Sequence, residues 1–254
     1  MANVVLSLLA HPDDAEFLCA GTLCRLTREQ HWEAHIASMT AGDCGSPHLP
    51  PEEIARMRRH EGASAAALIA GRYHCLEERD LLIFYGERSL ERVVRLLREV
   101  RPAIVLTHSP ADYMLDHEVT STLARAAAFG APIPNCFGDR GHPPPLEHIP
   151  HVYYCDPIEG KDLLGRPVPP GFAIDVGSVI DTKATMLAAH ASQREWLLKH
   201  HGMDQYVESM KTWSAEQGRA HGVQYAEGFR QHLGHGYPQD NLLGQLLGAR
   251  TAAK

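Results

Sequence analysis

The sequence predicts an α/β fold, namely a Rossmann-like, doubly wound and mostly parallel sheet with helices on both faces and an elaborated C-terminal part. Short apolar runs of strand length alternate with longer segments whose apolar residues recur at helical spacing. The 254 residues, 44% of them apolar, suffice to bury the core of one domain. We therefore expect a single domain over 1–254, with a βα core in 1–130 and a loop, edge strands and C-terminal helices in 131–254.

The first half of the chain predicts four strands that alternate with four helices. The predicted strands cover 4–10, 35–39, 73–76 and 104–107, and the predicted helices cover 16–29, 51–70, 87–100 and 116–129. Pro51 suits the first position of its helix, where no backbone donor is needed. In the common strand order 3-2-1-4, the first and fourth strands are neighbours, and the turns that follow them open onto the same crevice.

The second half is less regular. Residues 130–150 are rich in proline and glycine and predict a loop or lid at the sheet edge that carries the site. Two further strands are predicted at 151–155 and 172–176, and helices at 179–190, 204–222 and 238–247. The last four residues are expected to fray.

Composition and charge argue against several classes of protein. The net charge of -7 comes from scattered residues, so the sequence has no electrostatic footprint for nucleic acid. It has no apolar run of about 18 residues, and the N-terminus lacks the basic region of a signal peptide, so we expect a cytoplasmic protein without membrane contact. The six cysteines lack C-x-x-C spacing, which predicts free thiols.

Two polar turns carry the candidate site. His11-Pro12-Asp13-Asp14 follows the first strand, and the turn after the fourth strand runs from His108 to His117. An imidazole at 11 and a carboxylate at 14 could bind one metal ion, although Asp14 could equally cap its helix. His117 would complete a site of two imidazoles and one carboxylate with a position open for water. Zinc suits this set best, with iron(II), manganese or cobalt as substitutes.

The sequence resembles the PIG-L/LmbE family of N-acetylglucosamine de-N-acetylases from about Val4 to about Gln193. The resemblance rests on Ala10 to Asp14 followed by Gly21-Thr22, on Asp112 to His117, on Ala189 to Gln193, and on the later Tyr225 to Phe229. It implies zinc ligands His11, Asp14 and His117, with Asp13 as the general base. It also implies a small N-acylated substrate and assembly as a trimer or hexamer.

One position departs from the family pattern, because Met114 stands where the second motif usually has a histidine that stabilises the charged intermediate. His108, His190 and Tyr113 are candidates to replace it, although His190 also suits a structural role on an apolar helix face. Asp112 is a further candidate for supporting the site.

Asp116, beside His117, could support a ligand or cap its helix. By the family pattern, Asp80 and Arg59 are candidate substrate contacts, although Arg59 could instead pair with a neighbour on a solvated face. Trp196 and Trp213 could stack on a sugar or lie in the core.

We therefore expect a zinc-dependent hydrolase that removes an N-acetyl or other N-acyl group from an amino sugar or related small molecule. A catalytically silent metal or sugar binder is the alternative that Met114 suggests. A metal-dependent hydrolase of another bond, such as a phosphoester, would prefer two metals and more bridging carboxylates than the motifs offer. Dinucleotide binding is disfavoured because the first strand leads into H-P-D-D rather than G-x-G-x-x-G.

Overall fold

The structure is a computed structural model that describes residues 3–138, 141–193 and 206–252. The described strands are β1 Val4–Leu9, β2 Glu33–Thr40, β3 Arg72–Glu78, β4 Ile104–Thr107, β5 His151–Cys155, β6 Phe172–Asp175, β7 Ala226–Gln231 and β8 Ala249–Arg250. The described helices are α1 Asp14–Leu18, α2 Ala20–Gln30, α3 Pro51–Ala67, α4 Glu87–Val100, α5 Leu115–Gly130, α6 Ile180–Ala188, α7 Tyr206–Ala220 and α8 Leu242–Leu247. Short 3-10 turns lie at Ile158–Gly160 and Gly177–Val179.

These strands form one sheet in the order β3-β2-β1-β4-β5-β7-β6-β8. The first five are parallel, whereas β7 runs antiparallel to both β5 and β6, and β8 antiparallel to β6. The predicted order 3-2-1-4 is confirmed, with Val5 of β1 opposite Ile104 of β4. The turns after β1 and β4 therefore meet at one edge of the sheet, as ligand sites in open parallel sheets require.

The sheet separates two apolar layers, which confirms the predicted fold class. Val5 and Leu9 of β1 pack with α1, α2, α6, α7 and α8, and Leu6 and Leu8 pack with α4 and α5. Because β1 is buried on both faces, its sequence is a continuous apolar run rather than an alternating one. No helix among the described residues is long and apolar enough to cross a bilayer.

Three features differ from the sequence predictions. The helix predicted at 16–29 is two helices, because the backbone leaves the helical region at Cys19. Strands β7 and β8 were not predicted. The described residues of the segment 130–150 do not line the candidate cavity, since α5 returns the chain to the opposite edge of the sheet, where Arg98 donates to the carbonyls of Ala131 (3.0 Å) and Ile133 (2.8 Å). All six cysteines are free, as predicted.

A buried ion pair joins the C-terminal part to the core. Lys183 Nζ of α6 donates to Glu227 Oε1 of β7 at 2.7 Å, and these residues are only 1% and 2% exposed. The same carboxylate accepts from the backbone N–H groups of Gly21 (2.8 Å) and Thr22 (2.7 Å) in the first turn of α2. A side chain at Gly21 would place a Cβ 2.7 Å from Val176, so the close approach requires glycine.

A second buried carboxylate, Asp156, makes stability depend on pH. Burial raises the pKa of Asp156 to about 7 despite the opposing effect of Arg230, and neither carboxylate oxygen has a hydrogen-bond partner among the described residues. Unfolded aspartate ionises near pH 4, so the folded state retains a proton that the unfolded state loses between about pH 4 and 7. The free energy of unfolding should therefore fall as pH rises through this window.

We expect Asp156→Asn to remove this contribution, because an amide stays neutral. The variant should be more stable than the wild type by roughly 1–2 kcal/mol at pH 8, and the gain should vanish near pH 4. Urea unfolding of both proteins across this range measures the difference. A gain that is the same at all pH values would contradict the assignment to Asp156.

Candidate metal centre

The turn after β1 is closed by its own carboxylate. The Asp14 side chain accepts from the backbone N–H of His11 at 2.7 Å, and the N-cap position of α1 is occupied by Asp13 rather than Asp14. The capping alternative for Asp14 is therefore wrong. Asp13 occupies the turn with a φ of 100°, a backbone region that residues other than glycine seldom adopt. Such strain persists only where the surroundings hold it, and it occurs often at functional sites.

His11, Asp14 and His117 converge at the edge shared by β1 and β4. One candidate ligand atom from each lies within 4.8 Å of the others. His11 Nδ1 is 3.3 Å from Asp14 Oδ2, and His117 Nε2 is 3.7 Å from Asp14 Oδ1. No side chain of the three is more than 11% exposed. These three residues fit a single divalent ion, since such an ion needs converging ligand atoms at about 2.0–2.2 Å from its centre.

The second ring nitrogen of His117 is held by Asp112, whose Oδ1 lies 2.9 Å from His117 Nδ1. This bond fixes the ring orientation and leaves Nε2 facing Asp14, the arrangement in which a carboxylate supports a metal-binding histidine. Asp112 Oδ1 also accepts from the Met114 N–H at 3.2 Å. Asp112 thus orients His117 rather than facing the cavity.

We expect Asp112→Asn to weaken metal binding about tenfold, because a neutral amide supports the imidazole less well than a carboxylate does. Competition with a metal indicator measures the affinity. Asp181→Asn is the matched control, since Asp181 lies on the exposed side of α6 and should leave the affinity unchanged. Equal affinities for the Asp112 variant and the wild type would argue against this support.

His11 is oriented by two other carboxylates. Its Nε2 lies 3.0 Å from Asp80 Oδ1 and 3.4 Å from Asp116 Oδ2. Burial lowers the pKa of His11, but bonds to Asp116, Asp14 and Asp80 outweigh that effect and raise the pKa well above its ordinary value. Because Asp80 and Asp116 hold the His11 ring at Nε2, its other nitrogen, Nδ1, faces Asp14.

The first alternative for Asp116, support of a candidate ligand, matches the structure, although the ligand it contacts is His11 and not the neighbouring His117. Met114 occupies the N-cap position of α5, so Asp116 does not cap that helix. The Asp116 carboxylate accepts from the Leu81 N–H at 2.8 Å and reaches His11 rather than His117. The partners of Asp116 are therefore the loop after β3 and His11, and not the neighbouring His117.

Asp13 lies beside the three candidate ligands and faces the cavity. Its Oδ1 accepts from Arg58 Nη2 at 3.3 Å and its Oδ2 accepts from the Tyr206 hydroxyl of α7. Burial raises the pKa of Asp13, although Arg58 and the Tyr206 hydrogen bond act in the opposite direction. Asp13 is therefore a more basic carboxylate than a solvent-exposed one, held in place from both sides.

Arg58, rather than Arg59, is the arginine that reaches the site. Arg58 is buried and also donates to the carbonyls of Pro12 (2.9 Å) and Gly42 (3.3 Å). Arg59 pairs with Glu77 on the surface at 2.9 Å and does not line the cavity. Helical periodicity could have identified Arg58 as the arginine that faces the site, because Arg58 falls on the buried face of α3 with Ile54.

Of the three candidates to replace a histidine at Met114, only Tyr113 lines the cavity. His108 stacks on His117 at 3.8 Å between ring centroids and accepts from the Ala10 N–H at 2.9 Å, and burial lowers its pKa to about 4. His190 is buried 3.4 Å from Glu16, away from the cavity lining. The structural interpretation of His190 thus matches its placement.

The cavity has a volume of about 1160 Å³ and extends from the candidate ligands to α7. Trp213 of α7 lines it, as a residue that stacks on a substrate would, and Asp80 lines it near His11. Trp196 lies outside the described residues. Helix α7 and Trp213 were predicted from the sequence, whereas the contact of Tyr206 with Asp13 carried no recognisable signal.

The fold and site together define an α/β protein with a candidate two-histidine, one-carboxylate metal centre at the carboxyl ends of parallel strands. The model of the PIG-L family, described as GlcNAc-PI de-N-acetylase, matches residues 6–128, which contain all three candidate ligands. Over these residues the chain is similar to the PIG-L family. Known members of the family are enzymes, and its deacetylases are metal-dependent.

Proteins similar to this chain catalyse two kinds of reaction. The N,N'-diacetylchitobiose deacetylase from Pyrococcus horikoshii has a TM-score of 0.76 at 23% identity, over 95% of this chain and 89% of its own. The 4-carboxy-2-hydroxymuconate hydratase from Pseudomonas putida has a TM-score of 0.76 at 22% identity, over 95% and 100%. A curated 4-oxalmesaconate hydratase from Pseudomonas putida is 25% identical over 198 residues, 74% of this chain and 73% of the relative. These similarities therefore leave the reaction open.

Proposed function

We propose that this protein is a zinc-dependent hydrolase that removes an N-acyl group from an amino sugar or a related small amine. The observation that carries the proposal is the position of Asp13, a buried carboxylate that faces the cavity beside His11, Asp14 and His117. The proposed activity is that of a single domain, and assembly as a trimer or hexamer remains a prediction.

His11, Asp14 and His117 would hold the metal, and their two imidazoles and one carboxylate suit zinc. Bound zinc supplies Lewis acidity, which makes water more acidic and stabilises negative charge on an acyl oxygen. Asp112, Asp80 and Asp116 keep the two rings in orientation through the nitrogens that face away from the centre.

Asp13 acts as the general base in this proposal. Its carboxylate takes a proton from the attacking water and later returns one to the amine nitrogen when the C–N bond breaks. Burial makes Asp13 a stronger base, because it raises the pKa toward the operating pH. Arg58 and Tyr206 hold the carboxylate toward the cavity from opposite sides.

The charge of the cavity wall favours an amide over a substrate with several carboxylates. Six described carboxylates line the cavity: Asp13, Asp14, Asp80, Glu159, Glu208 and Glu216. The two described lysine and arginine side chains in the lining are already engaged, Arg58 with Asp13 and Lys161 with Glu159 at 3.5 Å. A carboxylate-bearing compound such as the 4-carboxy-2-hydroxymuconate of the similar hydratase would meet repulsion here.

The test measures metal content and two reactions on the same purified protein. We expect about one zinc per chain, amine release from N-acylated glucosamines, and no hydration of 4-carboxy-2-hydroxymuconate. Hydration without amine release would replace the proposal by the second activity known among similar proteins. Bound zinc without either reaction would favour the silent binder that Met114 suggests.

A further inference from the structure

The cavity has one apolar wall. Leu81, Tyr113 and Met114, which we call the apolar wall, line it beside the candidate metal centre. Leu81 is 61% exposed and Tyr113 is 52% exposed. Large apolar side chains left open inside a cavity forgo hydrophobic burial, which an apolar ligand would restore.

The backbone of the apolar wall is tied to the carboxylates that orient the candidate ligands. The Leu81 N–H donates to Asp116 at 2.8 Å and the Met114 N–H donates to Asp112 at 3.2 Å. The Tyr113 ring contacts His117 edge-on at 5.3 Å between centroids. The wall is therefore held against the metal centre and starts where an acyl group would be cleaved.

The opposite wall differs in chemistry. It is formed by α7, and four of its six described lining side chains are polar or charged: Glu208, Ser209, Thr212 and Glu216, beside the aromatic Tyr206 and Trp213. The volume of about 1160 Å³ is slightly above the range of pockets that enclose drug-sized ligands, roughly 300–1,000 Å³. The space thus exceeds the need of a small acetylated sugar, and its two walls suit the two halves of an amphipathic amide.

Exposed apolar residues directly follow the apolar wall in the sequence, after Leu81 and after Met114. They are Leu82, Phe84, Tyr85 and Leu115.

We propose that the preferred substrates carry acyl groups longer than acetyl, with the acyl chain on the apolar wall and the amine portion against α7. The inference rests on the proposed amide hydrolysis and names its substrate class. In the reaction, the water oxygen bonds to the acyl carbon, the C–N bond breaks and the nitrogen gains a proton. The products are a medium-chain carboxylic acid and a free amine. Met114 fits this assignment, because an unbranched thioether adapts to alkyl chains.

The first test is binding, which does not depend on turnover. We measure by calorimetry the affinity of N-acetyl, N-butyryl, N-hexanoyl and N-octanoyl glucosamine for full-length Asp13→Asn protein loaded with zinc. Affinity should rise about two- to fourfold per methylene over the first additions, since each methylene leaves water for an apolar surface. An affinity that is flat or falls with chain length overturns the inference.

Two matched variants test whether the dependence of affinity on acyl chain length arises at the apolar wall. Leu81→Asn should flatten the chain-length dependence, whereas Leu164→Asn, at a residue that is 63% exposed and outside the cavity lining, should leave the slope unchanged. Asparagine is chosen because Leu81 has a φ of 65°, a conformation that asparagine tolerates. Thermal unfolding confirms that both variants fold. Equal slopes in the two variants would contradict the role of Leu81.

Turnover by the wild type separates this inference from the proposed function. Amine release from every acyl length without a chain preference would leave the proposed function standing and remove the apolar-wall inference. A chain-length slope in binding without any amine release would leave the apolar wall as a binding surface and remove the proposed function.

Discussion

Replacing Asp13 with asparagine is expected to lower kcat for amide hydrolysis by about 10²–10⁴-fold, because an amide cannot accept the proton of the attacking water. Asparagine keeps the shape of the side chain, and its oxygen can still accept a hydrogen bond from Arg58. Asp13 is not among the three candidate ligands, so the variant should retain zinc. Steady-state kinetics and elemental analysis on the same preparation measure both quantities.

The comparison with His117→Ala makes this result specific. That variant removes one of three ligands and should lose both zinc and turnover. Asp181→Asn, on an exposed side chain of α6, should retain both. If Asp13→Asn retained kcat within about threefold of the wild type, another group would have to be the base. If it lost zinc along with turnover, Asp13 would act through the metal centre instead.

The parallel half of the fold could be predicted from the sequence because each of its strands is buried by helices on both faces. Continuous apolar runs such as Val4–Leu9 have few other interpretations when turns and helical periodicity follow them. The order 3-2-1-4 then brings the turns after β1 and β4 together, which is how His11 and His117 could be expected to share one site.

The C-terminal half could not be predicted as well, because its elements depend on distant partners. Strand β7 contains Glu227 and Gly228, which interrupt any apolar pattern. Glu227 is buried only because Lys183 and the N–H groups at the start of α2 compensate its charge. Propensity and periodicity describe neighbours along the chain, so a compensated charge 44 residues from its partner carries no local signal.

The same limit applies to the groups around the candidate centre. Tyr206 reaches Asp13 across 193 positions, and Leu81 diverts the Asp116 carboxylate toward His11. Such contacts follow from how the loop after β3 and helix α7 fold over the sheet edge. The candidate ligand types and their spacing were readable, and Asp80, Asp112 and Asp116 were already candidates, whereas the ring that each carboxylate orients became visible only in three dimensions.

Replacing Glu227 with alanine is expected to lower the free energy of unfolding by about 3–5 kcal/mol, because the change leaves the buried Lys183 ammonium without a counter-ion. The backbone N–H groups of Gly21 and Thr22 lose their acceptor as well. Urea unfolding followed by circular dichroism measures the loss. Asp181→Ala is the control, since its ion pair with Lys211 is exposed and the change should cost less than about 0.5 kcal/mol.

A double variant distinguishes charge compensation from simple loss of packing. In Lys183→Met combined with Glu227→Gln, both charges are gone and the amide oxygen can still accept from the start of α2. If the uncompensated charge dominates, the double variant should be more stable than the Glu227→Ala protein. Because Glu227 joins β7 to α2 and α6, the result also measures how strongly the C-terminal half is coupled to the core. Equal losses in the two proteins would mean that the ion pair itself contributes little to this coupling.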